Sequence, residues 1–403
     1  MTSASSGSDM VDWNLAVATA TRLVRPGPQV TRDEARTVVA ELRRHALAAE
    51  GAVREYTGMR STSLTDGGAA PVLVVDRAGW VRANVAGFRA VIGPLTRKLA
   101  ARRADTPGGA VLGTVGEKVT GVEVGAVLAL LAGKVLGQYE TFAETGTAGE
   151  SEPAGTLTVP DTPADFLDDP RPGSAPAGPG RLLLVAPNIV QVERELDVDP
   201  HDFRLWVCLH EEAHRTQFSA VPWLRDHVQS EVQAFLAETD VEPIALLERL
   251  REVLTPADRS RSDADAPQTA PEPRTTLLDV VQTPNQREIL SRLTAVMSLL
   301  EGHADVVMDG VGPAVVPSVA EIREKFQRRR DRGANRLDLV LRKLLGMDAK
   351  LRQYQDGAAF VRGVVDRIGM DGFNRVWTSP NTLPTKEEIH NPATWVARVG
   401  HQS

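Results

Sequence analysis

The stretch LWVCLHEEAHRTQF, residues 205–218, sets two histidines four positions apart with two glutamates between them. On an α-helix that spacing brings both imidazoles to successive turns of one face. Two such rings can hold one Zn²⁺ together, and a carboxylate directly after the first histidine stands beside the open coordination position, where it can take a proton from water. This reading makes His210 and His214 metal ligands and Glu211 the catalytic base. The plainer alternative is two core histidines satisfied by hydrogen bonds, so the surrounding chain has to decide.

The flanks favour a helix with that face turned inward. Asp199 is a good N-cap, Pro200 suits the first helical position and Asp202 falls in the first turn, while Pro222 stops the pattern downstream. Phe203, Trp206, Val207, His210, Ala213, His214 and Gln217 lie along one stripe, so the histidines continue the core-facing side. Cys208 points about 200° away from His210 and reads as a packing residue.

A catalytic zinc site takes three protein ligands. The third is sought in AVMSLLEGHADVVMD, residues 295–309, a long apolar helix interrupted by Glu301, His303 and Asp305. Burying such groups is costly unless they are paired or bind a metal. Glu301 and Asp305 share a face, and His303 points elsewhere. In one arrangement Glu301 is the ligand and Asp305 accepts the second ring proton of a ligand imidazole, fixing its tautomer. In the other, His303 is the ligand and the carboxylates are structural. The ExxxD pattern resembles the glutamate-zincin peptidases, whose motif helix is completed by a glutamate from a second helix, and favours the first.

The 403 residues carry 42% hydrophobic and 25% charged side chains and a net charge of -7, an ordinary globular balance that argues against a general nucleic-acid binder. One cysteine excludes an intramolecular disulfide and a thiolate zinc cluster. No signal peptide is visible, and the most apolar stretch, GAVLALLAG at 125–133, is far too short for a membrane span. The expectation is a cytoplasmic protein.

The pattern is mainly α with a small sheet. Helices are predicted over 31–58, with Thr31 and Glu34 at capping-box spacing, and over 79–104, 121–142 and most of 284–375. Strands are predicted at PVLVVDR (71–77) and RLLLVAPNIV (181–190), the latter offering its edge to an extended peptide. A single domain spanning 10–403 is expected, with flexible insertions at 144–180 and 256–283, where Gly, Pro and polar residues crowd. The basic run REKFQRRRDRGANR (323–336) reads as a solvated helix end.

The wider sequence resembles a known family. The carrying segments are DWNLAVATATRLVRPGP (12–28), GWVRANVAGF (79–88), LLLVAPNIV (182–190), DFRLWVCLHEEAHRTQF (202–218), PWLRDH (222–227), TAVMSLLEGHADVVMDGVGPAVVPSV (294–319) and MDAKLRQYQDGAAFVRGVVDRIGMDGFNRVWTSPNTLP (347–384). Together they resemble an actinobacterial family of zincin-like zinc-dependent metalloproteases, some of whose members are labelled deazaflavin-coenzyme biosynthesis-associated. The resemblance implies a predominantly helical zincin-like hydrolase with His210 and His214 as ligands and Glu211 as base; it supplies no substrate.

The function expected is zinc-dependent hydrolysis of a peptide or small amide, with no nucleic-acid or membrane partner. Tyr354 is the candidate donor to the tetrahedral oxyanion, with Arg352 second. Two rivals stand beside it: a non-peptide amidase linked to coenzyme metabolism, which a narrow pocket favours, and a catalytically silent scaffold, which a closed four-ligand zinc site favours. Oligomeric state is left open.

Overall fold

The run Leu182–Val185 is wholly apolar and wholly buried, and it forms the middle strand of a three-stranded sheet. In chain order the strands are β1 (Val72–Val75), β2 (Gly137–Tyr139) and β3 (Leu182–Val185). β1 runs parallel to β3 with Val72 opposite Leu182, and β2 runs antiparallel with Gly137 opposite Leu184. Leu184 faces the same core as Phe203, Cys208 and Leu209, whereas Leu183 and Val185 face Trp80 and Leu128. A strand covered on both faces reads as an unbroken apolar run rather than an alternation.

This computed structural model describes residues 11–60, 72–104, 109–140, 167–168, 180–238, 283–332 and 347–400, without the side chains of 92, 94–119, 330–332 and 347–355. The expected insertions at 144–180 and 256–283 fall largely outside the described residues. Leu167 and Asp168 are exceptions: Leu167 packs on the core, and Asp168 accepts hydrogen bonds from Val74 N and Arg43 Nη2, both at 2.9 Å.

The helices are α1 (Trp13–Leu23), α2 (Arg32–Thr57), α3 (Arg77–Ala104), α4 (Gly109–Ala132), α5 (Ala186–Leu196), α6 (Pro200–Ala220), α7 (Pro222–Ala237), α8 (Pro284–Val311), α9 (Val319–Arg332), α10 (Met347–Phe373), α11 (Lys386–His390) and α12 (Pro392–Val399). The protein is mainly α with a small sheet. None of the described helices is long and apolar enough to cross a membrane.

Several boundaries differ from the sequence expectation: α4 begins at Gly109 rather than at 121, and the strand predicted over 71–77 ends at Val75, with α3 opening at Arg77. The helix predicted over 121–142 stops at Ala132, where Lys134 N and Val135 N both bond to Leu131 O; residues 137–139 then turn into β2. The strand predicted over 181–190 ends at Val185, because Pro187 pre-sets helical backbone in the first turn of α5. As the middle strand, β3 has both edges paired and offers neither to a peptide; the edge strand beside α6 is β2.

α6 starts as its sequence dictates. Asp199 caps it by accepting from Asp202 N at 2.9 Å, and Asp202 in turn accepts from Ser318 N and Oγ at 2.8 and 2.7 Å. The helix is buried on nearly all sides, so its charged residues are paired. Arg204 grips Glu193 with two bonds of 2.9 and 2.6 Å and reaches Glu41, and Arg215 pairs with Glu212 and Glu50. Leaving one partner of such a pair alone in the interior costs several kcal/mol, roughly 3–5. Thr31 caps α2 by accepting from Glu34 N, but the Glu34 carboxylate goes to Arg194 instead of closing a capping box.

α8 carries the second half of the site and is pinned by a full capping box between Thr283 and Gln286. It crosses α10 at contact distance. A Cβ added at Gly302 would lie 2.1 Å from Gly357 C, and one at Gly357 would lie 1.9 Å from Ser298 O. Two glycines therefore let the backbones touch, one residue from Glu301.

Candidate metal centre

His210 and His214 project from α6 towards Glu301 on α8. The two Nε2 atoms are 3.2 Å apart, and each lies 3.7 Å from a Glu301 carboxylate oxygen. Zinc bonds of about 2.0–2.2 Å at tetrahedral angles place neighbouring donors roughly 3.3–3.6 Å apart, so the three groups fit one ion with little adjustment. Their side chains are 28, 15 and 25% exposed, which leaves an open side. Among the described residues, these are the histidine, cysteine and acidic groups that converge in this way.

The open side adjoins a cavity of about 220 Å³, which His210, Glu211, Glu301, Asp305 and Arg323 share with the aromatic rings of Trp206 and Phe326.

Gln217, fully buried one turn beyond His214, sets that imidazole's tautomer. Its Nε2 donates to Leu300 O at 2.8 Å and lies 2.9 Å from His303 Nδ1. A backbone carbonyl only accepts, so the amide nitrogen must face it, and Gln217 Oε1 is left for His214 Nδ1 at 2.9 Å. His214 therefore donates from Nδ1 and keeps the Nε2 lone pair directed at His210 and Glu301.

His303 stands behind this arrangement, outside the converging cluster. It is sealed from solvent, stacked on Phe373 at 5.4 Å and 13°, and accepts from Gln217 through Nδ1. Burial, with His214 nearby, pushes its pKa down to about 3, so the ring is neutral.

Glu211 is buried between α6 and β2. A Cβ at Gly137 would sit 2.5 Å from Glu211 Cγ and 2.7 Å from its Cδ, so only glycine leaves room for this carboxylate. Two residues along β2, Tyr139 stacks on Phe218 of α6 at 5.9 Å. Burial lifts the Glu211 pKa to about 7; His214 opposes the rise and Glu301 adds to it. A carboxyl poised there takes and returns protons at neutral pH.

Asp305 lines the same cavity one turn beyond Glu301, and its backbone oxygen accepts from Arg323 Nη2 at 2.9 Å. The imidazole partner observed on His214 Nδ1 is the Gln217 amide rather than a carboxylate. Tyr354 and Arg352 lie on α10, and their side chains fall outside the described residues. Arg323 departs from the solvated helix end expected for the basic run, being 21% exposed and facing the cavity, whereas Arg328 and Arg329 are exposed and form surface pairs with Glu324 and Glu195, and half-buried Lys325 pairs with Glu321. Residues 333–336 fall outside the described residues.

Three contributors to the site carry little or no signal in the sequence. Gln217 was visible as a polar residue on an inward stripe, a signal that it needs buried partners. Gly137 and Arg323 carry no local signal, because each is defined by an element distant in the chain.

A motif helix packed on a small sheet, its histidines met by a glutamate from a later helix, is the arrangement of zincin-type metallohydrolases. The chain belongs to the zincin-like metallopeptidase family, whose model matches residues 11–396. It is similar to a protein from Chloroflexus aurantiacus whose crystal structure is described as that of a "putative hydrolase with a novel fold". The two are 27% identical over 98% of this chain and 100% of the other, with a TM-score of 0.63. No curated protein matches the chain.

Proposed function

We propose that the protein hydrolyses an amide bond, in a peptide or a small amide, with a zinc ion held by His210, His214 and Glu301. The convergence of the three donor atoms within 3.2–3.7 Å carries this reading. A zinc ion held by these residues would supply Lewis acidity to the amide carbonyl and would lower the pKa of a water proton towards about 7. Glu211 takes that proton as the water attacks the amide carbon, then returns it to the leaving nitrogen. Its burial against Gly137 keeps bulk water from competing for the proton. His303, neutral and bonded to Gln217, is assigned as a support for His214 rather than a ligand. Asp305 is assigned as a neighbour of the ligand set, and Tyr354 remains the proposed oxyanion donor.

For a peptide, β2 is the surface that fits. Among the described residues it pairs with β3 alone, so its outer edge can take an extended chain by main-chain bonds. The cavity of about 220 Å³ favours the second reading, a small-molecule amidase. It falls below the roughly 300–1,000 Å³ of ordinary ligand pockets. A role beside deazaflavin-coenzyme metabolism, suggested by the resemblance to actinobacterial proteins so labelled, belongs to that reading.

We further propose that residues 10–403 act as one domain in the cytoplasm, without nucleic-acid or membrane partners. The net charge of -7 and a lone buried thiol support this.

The test is Glu211→Gln against wild type. Both should bind one zinc per chain, and only wild type should hydrolyse members of an acyl-amino-acid and peptide library. Wild type that binds no zinc, or a variant with unchanged turnover, overturns the proposal.

A further inference from the structure

The cavity beside the candidate metal centre has an unequal lining. Leu136, Trp206, Val207 and Phe326 supply its apolar part, and one arginine, Arg323, enters it from α9 among the carboxylates of Glu211, Glu301 and Asp305. Trp206 and Phe326 meet edge to face with centroids 5.1 Å apart, forming a rigid aromatic surface. The volume of about 220 Å³ suits one residue-sized group and not a run of peptide.

Arg323 is held in place along one edge of its guanidinium. Nη2 donates to Asp305 O at 2.9 Å, and Nε lies 2.6 Å from Asp309 Oδ1. Asp305 and Asp309 are four and eight residues after Glu301, so this fixes the cation one to two helical turns, roughly 6–12 Å along α8, from that residue. Asp309 shares its other oxygen with Arg362 Nη2 at 2.5 Å, and Asp305 Oδ1 lies 3.8 Å from Arg323 Nη2. Nη1 makes no hydrogen bond among the described residues, which leaves a second edge for a ligand. The same wall carries the carboxylates of Glu211, Glu301 and Asp305, so an anion is selected there by the donors of Arg323 and by a dication on His210, His214 and Glu301 rather than by a net positive charge.

We propose that the substrate carries a carboxylate one residue beyond the scissile amide, received by Arg323, and an apolar or aromatic side chain against Trp206 and Phe326. The substrate class is then an N-acylated apolar amino acid or the terminal residue of a peptide. Consecutive residues are about 3.8 Å apart, and a metal bond at one end with a hydrogen bond at the other adds about 5 Å, so such a carboxylate reaches the guanidinium while the amide lies at the donor cluster. Water adds OH to the acyl carbon, the C–N bond breaks, and the nitrogen takes the proton; a free amino acid and a carboxylic acid leave. Bonds from a guanidinium to a carboxylate are among the stronger ones available for such selection.

This rests on the hydrolase reading above, and the experiment separates the two. The probe is N-formyl-N-hydroxyphenylalanine, whose hydroxamate chelates zinc at the position of the scissile amide, compared with its carboxamide by calorimetry on zinc-loaded protein. The acid should bind wild type at least about tenfold more tightly than the carboxamide, and Arg323→Gln should erase that preference. N-formyl-N-hydroxyglycine should bind about tenfold more weakly than the phenylalanine probe. If Arg323→Gln does not fold, Arg323→Lys, which keeps the charge and loses the planar fork, should show a reduced preference. Equal binding of acid and carboxamide to wild type, no binding of either to zinc-loaded protein, or a full preference surviving in the variants overturns this proposal alone. Wild type that takes up no zinc overturns both.

Discussion

Gln217 Oε1 lies 2.9 Å from His214 Nδ1, and the orientation of that amide is dictated from another helix by the Leu300 carbonyl. The order of causes runs from a backbone acceptor on α8, to an amide that can face it only with nitrogen, to an imidazole left with one tautomer. Because α8 also carries Glu301, the helix that supplies the carboxylate also aligns the histidine opposite it.

Replacing Gln217 by Leu should therefore weaken zinc binding by about 10–100-fold. Competition against a chromophoric chelator measures this, and ¹⁵N shifts of metal-free protein should show His214 protonated at Nδ1 in wild type and mixed tautomers in the variant. Wild-type zinc affinity in Gln217→Leu would remove the residue from this role.

Glu301 and His303 are two residues apart and should behave in opposite ways. Glu301→Ala should purify without stoichiometric zinc yet keep its melting temperature when metal-free, since the side chain is 25% exposed. His303→Ala should retain zinc but lose stability, by about 2–5 kcal/mol, because it empties a sealed space against Phe373. Metal analysis beside urea unfolding distinguishes the two, and the reverse pattern would make His303 the ligand.

Gly137→Ala places a methyl group 2.5 Å from Glu211 Cγ. Either β2 or the carboxylate must move, at a cost of about 1–3 kcal/mol. Zinc content should be unaffected, whereas hydrolysis should fall at least about 100-fold, the scale on which general-base catalysis operates. Unchanged turnover would mean that the position of Glu211 is not critical.

The features legible in the sequence are the local ones. The start of α6 follows from Asp199, Pro200 and Asp202, and the common face of His210 and His214 follows from spacing. Glu301 stood out because a carboxylate in an apolar helix needs a reason. The strand β2 was not legible: Gly137, Gln138 and Tyr139 continue an apolar helical pattern, and only pairing with β3, some 45 residues later, makes them extended. Gln217 was placed on the correct face without a purpose, since its partners Leu300 and His303 lie 83 and 86 residues away. The charged neighbours of Arg323 in the sequence point to a solvated helix end; what half-buries it comes from α6 and α8.

The raised pKa of Glu211 makes the metal-free protein sensitive to pH in a defined direction. Unfolded, the carboxyl ionises near 4.5; folded, near 7. Between these values the native state holds the proton more tightly, so stability from this group is present at low pH and is lost as pH rises towards 7. Above that the buried carboxylate costs on the order of 3 kcal/mol. Glu211→Gln cannot ionise and escapes this loss, whatever constant offset its amide introduces. Urea unfolding of metal-free wild type and variant at pH 5 and pH 8 should show the variant gaining on wild type by about 2–3 kcal/mol between the two conditions. Zinc should shrink that gain, because a cation on His210, His214 and Glu301 favours the ionised carboxylate. A difference between variant and wild type that stays constant with pH would mean that Glu211 titrates normally and is not poised as the base.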